Sequence, residues 1–204
     1  MCVHAGAVRS IRNVTEFDFY QGRSLTMCNT GCCTDEKNRM RHLEVRKSLT
    51  QGKGVFTLRD FKKDEIVYTV SRGKFVKKNE VKNLSEYEQE HLDRVDLDTY
   101  ELMQEPACFV NHSCEPNVIE ELLQDRILGR AYRDINKGEE IGVDYRIRAF
   151  DDWKMECKCG SKTCSGMVEG NFFSLPPDLQ KKYLPFAPKF IQDEYAGRTQ
   201  KSEV

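Results

Sequence analysis

The sequence has no long hydrophobic run, and no stretch approaches the roughly 20 consecutive apolar residues that a membrane-spanning helix needs. The first residues, MCVHAGAVRSIRNV, also lack the apolar core of a secretory signal. We therefore expect an intracellular protein with no membrane association. With 204 residues, of which 39% are hydrophobic, the chain can form one ordinary domain with a buried core.

An excess of charge of one sign is also missing. The 32 basic and 33 acidic residues give a formal net charge of -1. Direct nucleic-acid binding is therefore not expected, because it depends on a basic surface. The charges are unevenly placed: residues 37–47 and 72–78 are basic, and residues 115–125 are acidic. A solvated face is the usual explanation of such runs, although the acidic run would suit a basic substrate.

Cysteine, by contrast, is abundant, with nine residues in the chain. Without a secretory signal the thiols are expected to be reduced, so a metal site is a better interpretation than a disulfide framework. The stretch CKCGSKTCSG supplies Cys157, Cys159 and Cys164 as three ligands of one structural zinc ion, and Cys114 is the candidate for the fourth. The alternative is a group of reduced surface cysteines. The sequence assigns no role to the remaining amino-terminal cysteines Cys2, Cys28, Cys32 and Cys33.

The apolar pattern indicates a mainly β protein with helical additions. Strand-like runs rich in Val, Ile, Phe and Thr occur in LEVRKS, VFTLRD and EIVYTV, and later in NVIEELLQ, RILGRAYRDI and EEIGVDY. A helix is predicted over residues 84–93, where Ser85 and Glu88 have the spacing of a capping box. The segments LPPDLQKKYL and PKFIQDEYAG predict two short helices begun by prolines.

Four segments carry a resemblance to a known family. They are GKGVF at 52–56, FVNHSCEPNV at 109–118, RDINKGEEIGVDY at 133–145 and CKCGSKTCSG at 157–166. In this order they resemble the SET-domain protein-lysine methyltransferases, in particular small stand-alone SET proteins with a post-SET zinc motif. The resemblance implies a SET-domain fold of small β-sheets around a pseudo-knot, with a C-terminal zinc loop and a helical tail.

The resemblance also divides the chain. Residues 1–41 would be an N-terminal flanking segment and residues 42–150 the SET domain. Residues 151–170 would be the post-SET zinc loop, and residues 171–204 a C-terminal helical extension.

The same resemblance implies how the cofactor S-adenosyl-L-methionine would be bound. Lys53, Gly54 and Val55 would form a turn that contacts it through backbone atoms, since glycine permits close approach. A plain hairpin turn is the alternative for this segment. Asn111 and His112 would contact the cofactor with their polar groups, and the alternative for them is a capped turn with a buried histidine.

Tyr145 would be the catalytic tyrosine and would also contact the cofactor; the alternative is a strand-end aromatic residue with its hydroxyl in water. Tyr100, Val143 and Trp153 are candidates for the channel of the target lysine, and core packing is the alternative for Tyr100 and Trp153. The position of Val143 tends to control how many methyl groups fit in this family. Its small side chain therefore suggests room for several.

The function implied is methyl transfer from S-adenosyl-L-methionine to the side-chain amine of lysine in a protein substrate. The partner would carry a basic, lysine-containing segment, with a histone tail as the first choice and a non-histone protein as the second. A histone substrate would place the protein in the nucleus, and another substrate in the cytoplasm. The alternatives are a catalytically weak or inactive SET module that acts as a scaffold, and a zinc-stabilised interaction domain. The sequence does not indicate the oligomeric state.

Overall fold

The computed structural model describes residues 40–201, and β-strands dominate this part of the chain. Most strands are short because glycines and charged turns interrupt the apolar runs every few residues. The strands within residues 40–201 are β1 Leu43–Lys47, β2 Lys53–Thr57, β3 Ile66–Ser71, β4 Lys74–Lys77, β5 Leu92–Asp96, β6 Thr99–Leu102, β7 Asn111–His112, β8 Val118–Leu122, β9 Arg126–Ala131, β10 Gly142–Val143, β11 Phe150–Glu156 and β12 Met167–Asn171. The α-helices are α1 Glu86–Glu90, α2 Pro177–Tyr183 and α3 Lys189–Lys201.

The strands form several small sheets rather than one large sheet. Two antiparallel hairpins, β1–β2 and β11–β12, stand beside two three-stranded antiparallel sheets in the orders β3–β9–β8 and β4–β6–β5. The remaining pair, β7 with β10, is parallel and only two residues long. It places Asn111 opposite Gly142 and His112 opposite Val143. The polar stretch at 109–118 therefore runs beside the segment that leads to Tyr145.

A hydrophobic core lies between these sheets. Val55, Val67 and Val118 are completely buried in it. Val55 comes from the β1–β2 hairpin, and Val67 and Val118 come from the β3–β9–β8 sheet. Strand β9 alternates buried and partly buried residues over its whole length, which is the pattern of a strand with one face on the core. The fold is thus mainly β, as the sequence predicted.

The tail packs through a second hydrophobic cluster. Tyr183 at the end of α2 and Ile191 in α3 are buried against Ile119, Ile147 and Phe172. Helix α2 begins with Pro177 at its first position, where the missing N–H has no helical partner to lose. Both predicted tail helices are therefore confirmed.

Within residues 40–201, no helix has the length and apolar composition that crossing a membrane would require.

Some elements differ from the sequence prediction. The helix predicted over residues 84–93 is shorter, because its last residues join strand β5. Its start is as predicted: the Ser85 hydroxyl accepts from the Glu88 amide, and the Glu88 carboxylate accepts from the Ser85 amide at 2.8 Å. In EEIGVDY only Gly142–Val143 is a strand, since Asp144 caps a short 3-10 turn that follows it.

Candidate functional site

A cavity of about 330 Å³ opens where four distant chain segments meet. This volume lies within the range of small-molecule sites, which is roughly 300–1,000 Å³. The walls combine polar and charged side chains with the phenol ring of Tyr145 and one methionine. The cavity is lined by Thr50, Gln51, Asn111, His112, Tyr145, Met155, Glu156, Cys157 and Lys158.

Gly54, the second residue of β2, lies close to Glu140 and Asn111 because it has no side chain. A Cβ atom on Gly54 would lie 2.2 Å from the Glu140 carboxylate oxygen Oε1 and 3.2 Å from Asn111 Nδ2. Val55 points into the core and is completely buried. The Lys53 side chain is exposed, and its ammonium lies 4.8 Å from the centre of the Phe109 ring. None of these three residues is among those that line the cavity.

Asn111 ties that turn to the polar stretch. Its side-chain amide donates to the carbonyl oxygens of Lys53, at 3.0 Å, and Gln51, at 3.2 Å. The same nitrogen donates to Glu140 Oε1 at 2.7 Å. These acceptors use both amide hydrogens, so the Asn111 side chain is held in one orientation and presents its remaining oxygen to its surroundings.

His112 is buried and neutral. Burial lowers the pKa of its imidazole to about 4, although the nearby Asp144 carboxylate acts in the opposite direction. The backbone N–H of Tyr145 donates to Nδ1 at 3.3 Å, so the ring proton sits on Nε2. Nε2 lies 3.3 Å from the sulfur of Cys114. The imidazole thus bridges the tyrosine segment and the cysteine cluster.

Tyr145 has its ring edge-on to His112, with ring centres 5.4 Å apart. Its hydroxyl donates to the carbonyl oxygen of Val110 at 2.8 Å. Burial raises the pKa of Tyr145 above its usual value, and the negative charges of Glu120 and Asp93 raise it further. The phenol is therefore neutral at physiological pH. It can orient a bound amine by hydrogen bonding but cannot act as a phenolate base.

The four cysteines predicted as metal ligands lie together. The sulfur atoms of Cys114, Cys157, Cys159 and Cys164 are all within 4.8 Å of one another. Those of Cys114 and Cys157 are 3.8 Å apart, which matches the separation of about 3.8 Å expected when a tetrahedral zinc ion binds thiolates at about 2.3 Å.

The loop geometry also fits a metal. Gly160 and Gly166 both adopt a positive φ of 71°, which lets the chain turn tightly around the sulfurs. The donor set and its spacing therefore fit one zinc ion. Cys108 lies outside the cluster as a free, partly exposed thiol. Cys2, Cys28, Cys32 and Cys33 lie outside the described residues.

The three predicted channel residues lie in different surroundings, and none of them lines the cavity described above. The Tyr100 hydroxyl accepts from Arg94 and donates to Asp151, both at 2.7 Å. Val143 is 9% exposed and packs in the main core near Tyr145. Trp153 is 38% exposed on β11. Its ring covers Gly170, where a Cβ atom would lie 2.2 Å away.

Sequence analysis missed a buried ionic cluster close to Tyr145. Arg148 pairs with Glu120 at 2.6 Å and also with Asp93. The Tyr68 hydroxyl donates to the other oxygen of Glu120. Burial raises the pKa of Asp93 to about 6 against the lowering effect of Arg148, while Glu120 adds to the rise. A signal was present in the sequence, since Glu120 directly follows the apolar pair Val118 and Ile119.

The acidic run at 115–125 is largely neutralised by neighbours within the protein. Glu121 pairs with Arg130 at 2.6 Å, and Glu120 with Arg148. Asp125 pairs with Arg126, and Glu115 accepts from the Thr163 hydroxyl at 2.8 Å. The run is thus occupied by internal partners and is not a free negative patch beside the polar stretch.

Comparisons with known proteins point to one family. The family model described as "SET domain" matches residues 52–146. Histone-lysine N-methyltransferase 2D from Homo sapiens is 31% identical over 145 residues, which cover 64% of this chain and 2% of that protein. Histone-lysine N-methyltransferase, H3 lysine-36 specific, from Mus musculus is 29% identical over 196 residues, covering 88% of this chain and 7% of the relative.

A third relative, histone-lysine N-methyltransferase set-2 from Caenorhabditis elegans, is 44% identical over 66 residues, which is 30% of this chain and 4% of that protein. The chain therefore spans less than a tenth of the length of these curated relatives. The family match includes three of the residues that line the cavity, Asn111, His112 and Tyr145. Residues 52–146 of this chain are a SET domain, and its relatives are histone-lysine methyltransferases.

Proposed function

We propose that this protein transfers a methyl group from S-adenosyl-L-methionine to the side-chain amine of a lysine in a protein substrate. The observation that carries the proposal is the placement of Tyr145. Its hydroxyl is bonded to Val110, its ring packs against His112, and it lines the 330 Å³ cavity. A neutral hydroxyl held in this way suits the orientation of an amine for an in-line displacement.

The residues around the cavity fit the proposed cofactor. The backbone of Lys53, Gly54 and Val55 would approach it, and Asn111 and His112 would contact it with polar groups. The cofactor supplies a methyl group activated by an adjacent sulfonium. The protein would supply alignment and exclusion of water. A free lysine has a pKa of about 10.4, and a desolvated site favours its neutral form.

One zinc ion, bound by Cys114, Cys157, Cys159 and Cys164, would have a structural role in this proposal. The cluster joins the polar stretch at 109–118 to the loop at 157–164. Cys157 and its neighbour Lys158 also line the cavity. Metal binding would therefore complete one wall of the cofactor site without entering the reaction.

A histone tail is the first substrate to test, because the relatives are named as histone-lysine methyltransferases. A non-histone protein with a basic, lysine-containing segment is the second. Tyr100, Val143 and Trp153 remain proposed channel residues. We assign action in the nucleus if the substrate is a histone and in the cytoplasm otherwise, with no direct nucleic-acid binding.

The proposal is tested by incubating the protein with labelled S-adenosyl-L-methionine and mixed histones, followed by mass spectrometry of the products. We expect label on lysine with the wild-type protein and none with Tyr145→Phe. Calorimetry with the same cofactor provides the control. Cofactor binding without transfer to any lysine would contradict the assigned activity, and no cofactor binding would favour the scaffold alternative.

A further inference from the structure

Ser48 is a buried hydroxyl that neither the cavity nor the core explains. It is 6% exposed and directly follows β1, at the start of the turn that reaches the cavity. Its hydroxyl donates to Glu140 Oε2 at 2.9 Å. It also accepts from the backbone N–H of Thr50 at 2.8 Å and, at 3.4 Å, from that of Gln51. One oxygen atom thus organises the turn and binds a distant carboxylate.

Glu140 connects this hydroxyl to Asn111. Its second oxygen, Oε1, accepts from the Asn111 amide at 2.7 Å. The same oxygen occupies the space that a side chain at position 54 would need. The Glu140 carboxylate is therefore wedged between the turn at 48–54 and the strand β7 segment. Ser48 and Asn111, which are far apart in the sequence, are held by one carboxylate.

The residues arranged by this network are the ones that face the cavity. Thr50, Gln51 and Asn111 line it, whereas Ser48 and Glu140 do not. We propose that Ser48 is a positioning residue, which fixes the turn at 48–54 directly and fixes Asn111 through Glu140. The identity of the ligand as S-adenosyl-L-methionine rests on the function proposed above. The ordering of the turn does not depend on that identity.

The hydroxyl of Ser48 cannot be removed without leaving polar groups unpaired. Alanine would leave the Thr50 amide and one Glu140 oxygen without their partners, and both lie in a partly buried region. A Ser hydroxyl within two or three residues of such amides is a common way to close a turn. Loss of the hydroxyl should therefore loosen the turn first and the cavity wall with it.

A matched control is available in the same region of the fold. Thr57 is 1% exposed at the end of β2, and its hydroxyl donates to the Asn136 carbonyl at 2.8 Å. Thr57→Val removes a buried hydroxyl of similar kind, but Thr57 does not touch the cavity or the turn at 48–54. Any general effect of losing a buried hydrogen bond should appear in both variants.

The first experiment uses the free protein and measures backbone hydrogen exchange. Ser48→Ala should exchange about tenfold faster at the Thr50 and Gln51 amides, which is the change expected for one lost hydrogen bond. Thr57→Val should exchange there as the wild type does. Ser48→Thr keeps the hydroxyl, so its Thr50 and Gln51 amides should exchange as slowly as those of the wild type. Equal exchange in Ser48→Ala and wild type would overturn the proposal.

The second experiment measures cofactor binding and kinetics. Ser48→Ala should raise the Kd and KM for S-adenosyl-L-methionine about tenfold, with kcat within about twofold at saturating cofactor. Thr57→Val should leave both constants unchanged, and an equal rise in both variants would overturn the proposal. If Ser48→Ala does not fold, Glu140→Ala takes its place, since it removes the carboxylate that joins the Ser48 hydroxyl to Asn111. A wild-type protein that binds no cofactor would refute the proposed function, while the exchange result would still decide the role of Ser48.

Discussion

The hydroxyl of Tyr145 donates a 2.8 Å hydrogen bond to the backbone carbonyl oxygen of Val110. Val110 is buried and directly precedes Asn111, so this bond crosses between the two segments that form the parallel β7–β10 pair. The tyrosine is therefore oriented by the fold itself. Its hydroxyl oxygen keeps lone pairs that can accept from an incoming amine.

Tyr145→Phe should abolish methyl transfer while leaving the fold intact. The ring would still pack against His112, but the group that orients the amine would be lost, with an expected fall in kcat of about 100-fold or more. The lost bond to Val110 should lower the free energy of unfolding by about 1 kcal/mol. Single-turnover assays and urea unfolding measure the two effects. Activity within a few-fold of wild type would contradict the assigned role.

Cys114→Ser should prevent zinc binding at the proposed metal site. The cluster would retain three thiolates, and zinc binding by such sites contributes directly to folding. We expect a single zinc ion per wild-type chain by elemental analysis, little metal in the variant, and a fall of several kcal/mol in the free energy of unfolding. Cys108→Ser is the matched control, since Cys108 lies outside the cluster. Full zinc content in Cys114→Ser would disprove the ligand assignment.

Val143→Phe should restrict the number of methyl groups added. Val143 packs in the same core cluster as Tyr145, so a larger ring there would reduce the space beside the tyrosine. We expect a shift from multiply methylated to monomethylated product, with a cost of about 1–3 kcal/mol in stability from overpacking. Intact-mass spectrometry of a peptide product reports the methyl number. An unchanged product distribution in an active variant would argue against this position as the determinant.

The titration of Asp93 should make the free energy of unfolding depend on pH over a defined range. Its pKa is about 6 in the folded protein, above the ordinary value of 3.8. The folded state therefore keeps a proton that the unfolded state has lost. The stabilising contribution is complete below about pH 4 and disappears as the pH rises through 6, with a size on the order of 3 kcal/mol.

The measurement is urea unfolding of wild type and Asp93→Asn between pH 4 and pH 7. Asparagine cannot titrate, so the wild-type free energy of unfolding should fall relative to that of the variant as the pH rises through this window. Effects of pH on the cysteine cluster occur in both proteins and cancel in the difference. Parallel curves would show that Asp93 does not titrate in the folded state near pH 6.

The sequence predicted the strands and the cysteine cluster better than the polar contacts. Strand β9 and the two tail helices follow from local patterns of apolar residues, turns and prolines. The sheet β4–β6–β5 was missed because its strands look exposed: Arg94 is 5% exposed and Glu101 only 1%. Their burial depends on partners such as Arg72, which pairs with Glu101 at 2.6 Å. The residues next to Glu101 in the sequence do not indicate a partner that lies so far along the chain.

The polar contacts of the candidate site show the same limit. The resemblance brought Asn111, His112 and Tyr145 to attention through their motifs. It did not reveal the network from Ser48 to Glu140 and Asn111, because the hydroxyl and the carboxylate are 92 residues apart. Such a pairing depends on how the hairpin β1–β2 meets the turn before β10. Only the folded structure shows that meeting.

Trp153 is the single tryptophan of the chain and lies on β11, four residues before Cys157. Its indole rests on Gly170 of the partner strand and is partly open to water. Trp153 is therefore an intrinsic fluorophore close in sequence to the cysteine cluster. Zinc uptake or removal that orders or loosens this hairpin should change the emission of the indole, so that loading can be followed in real time without any added dye.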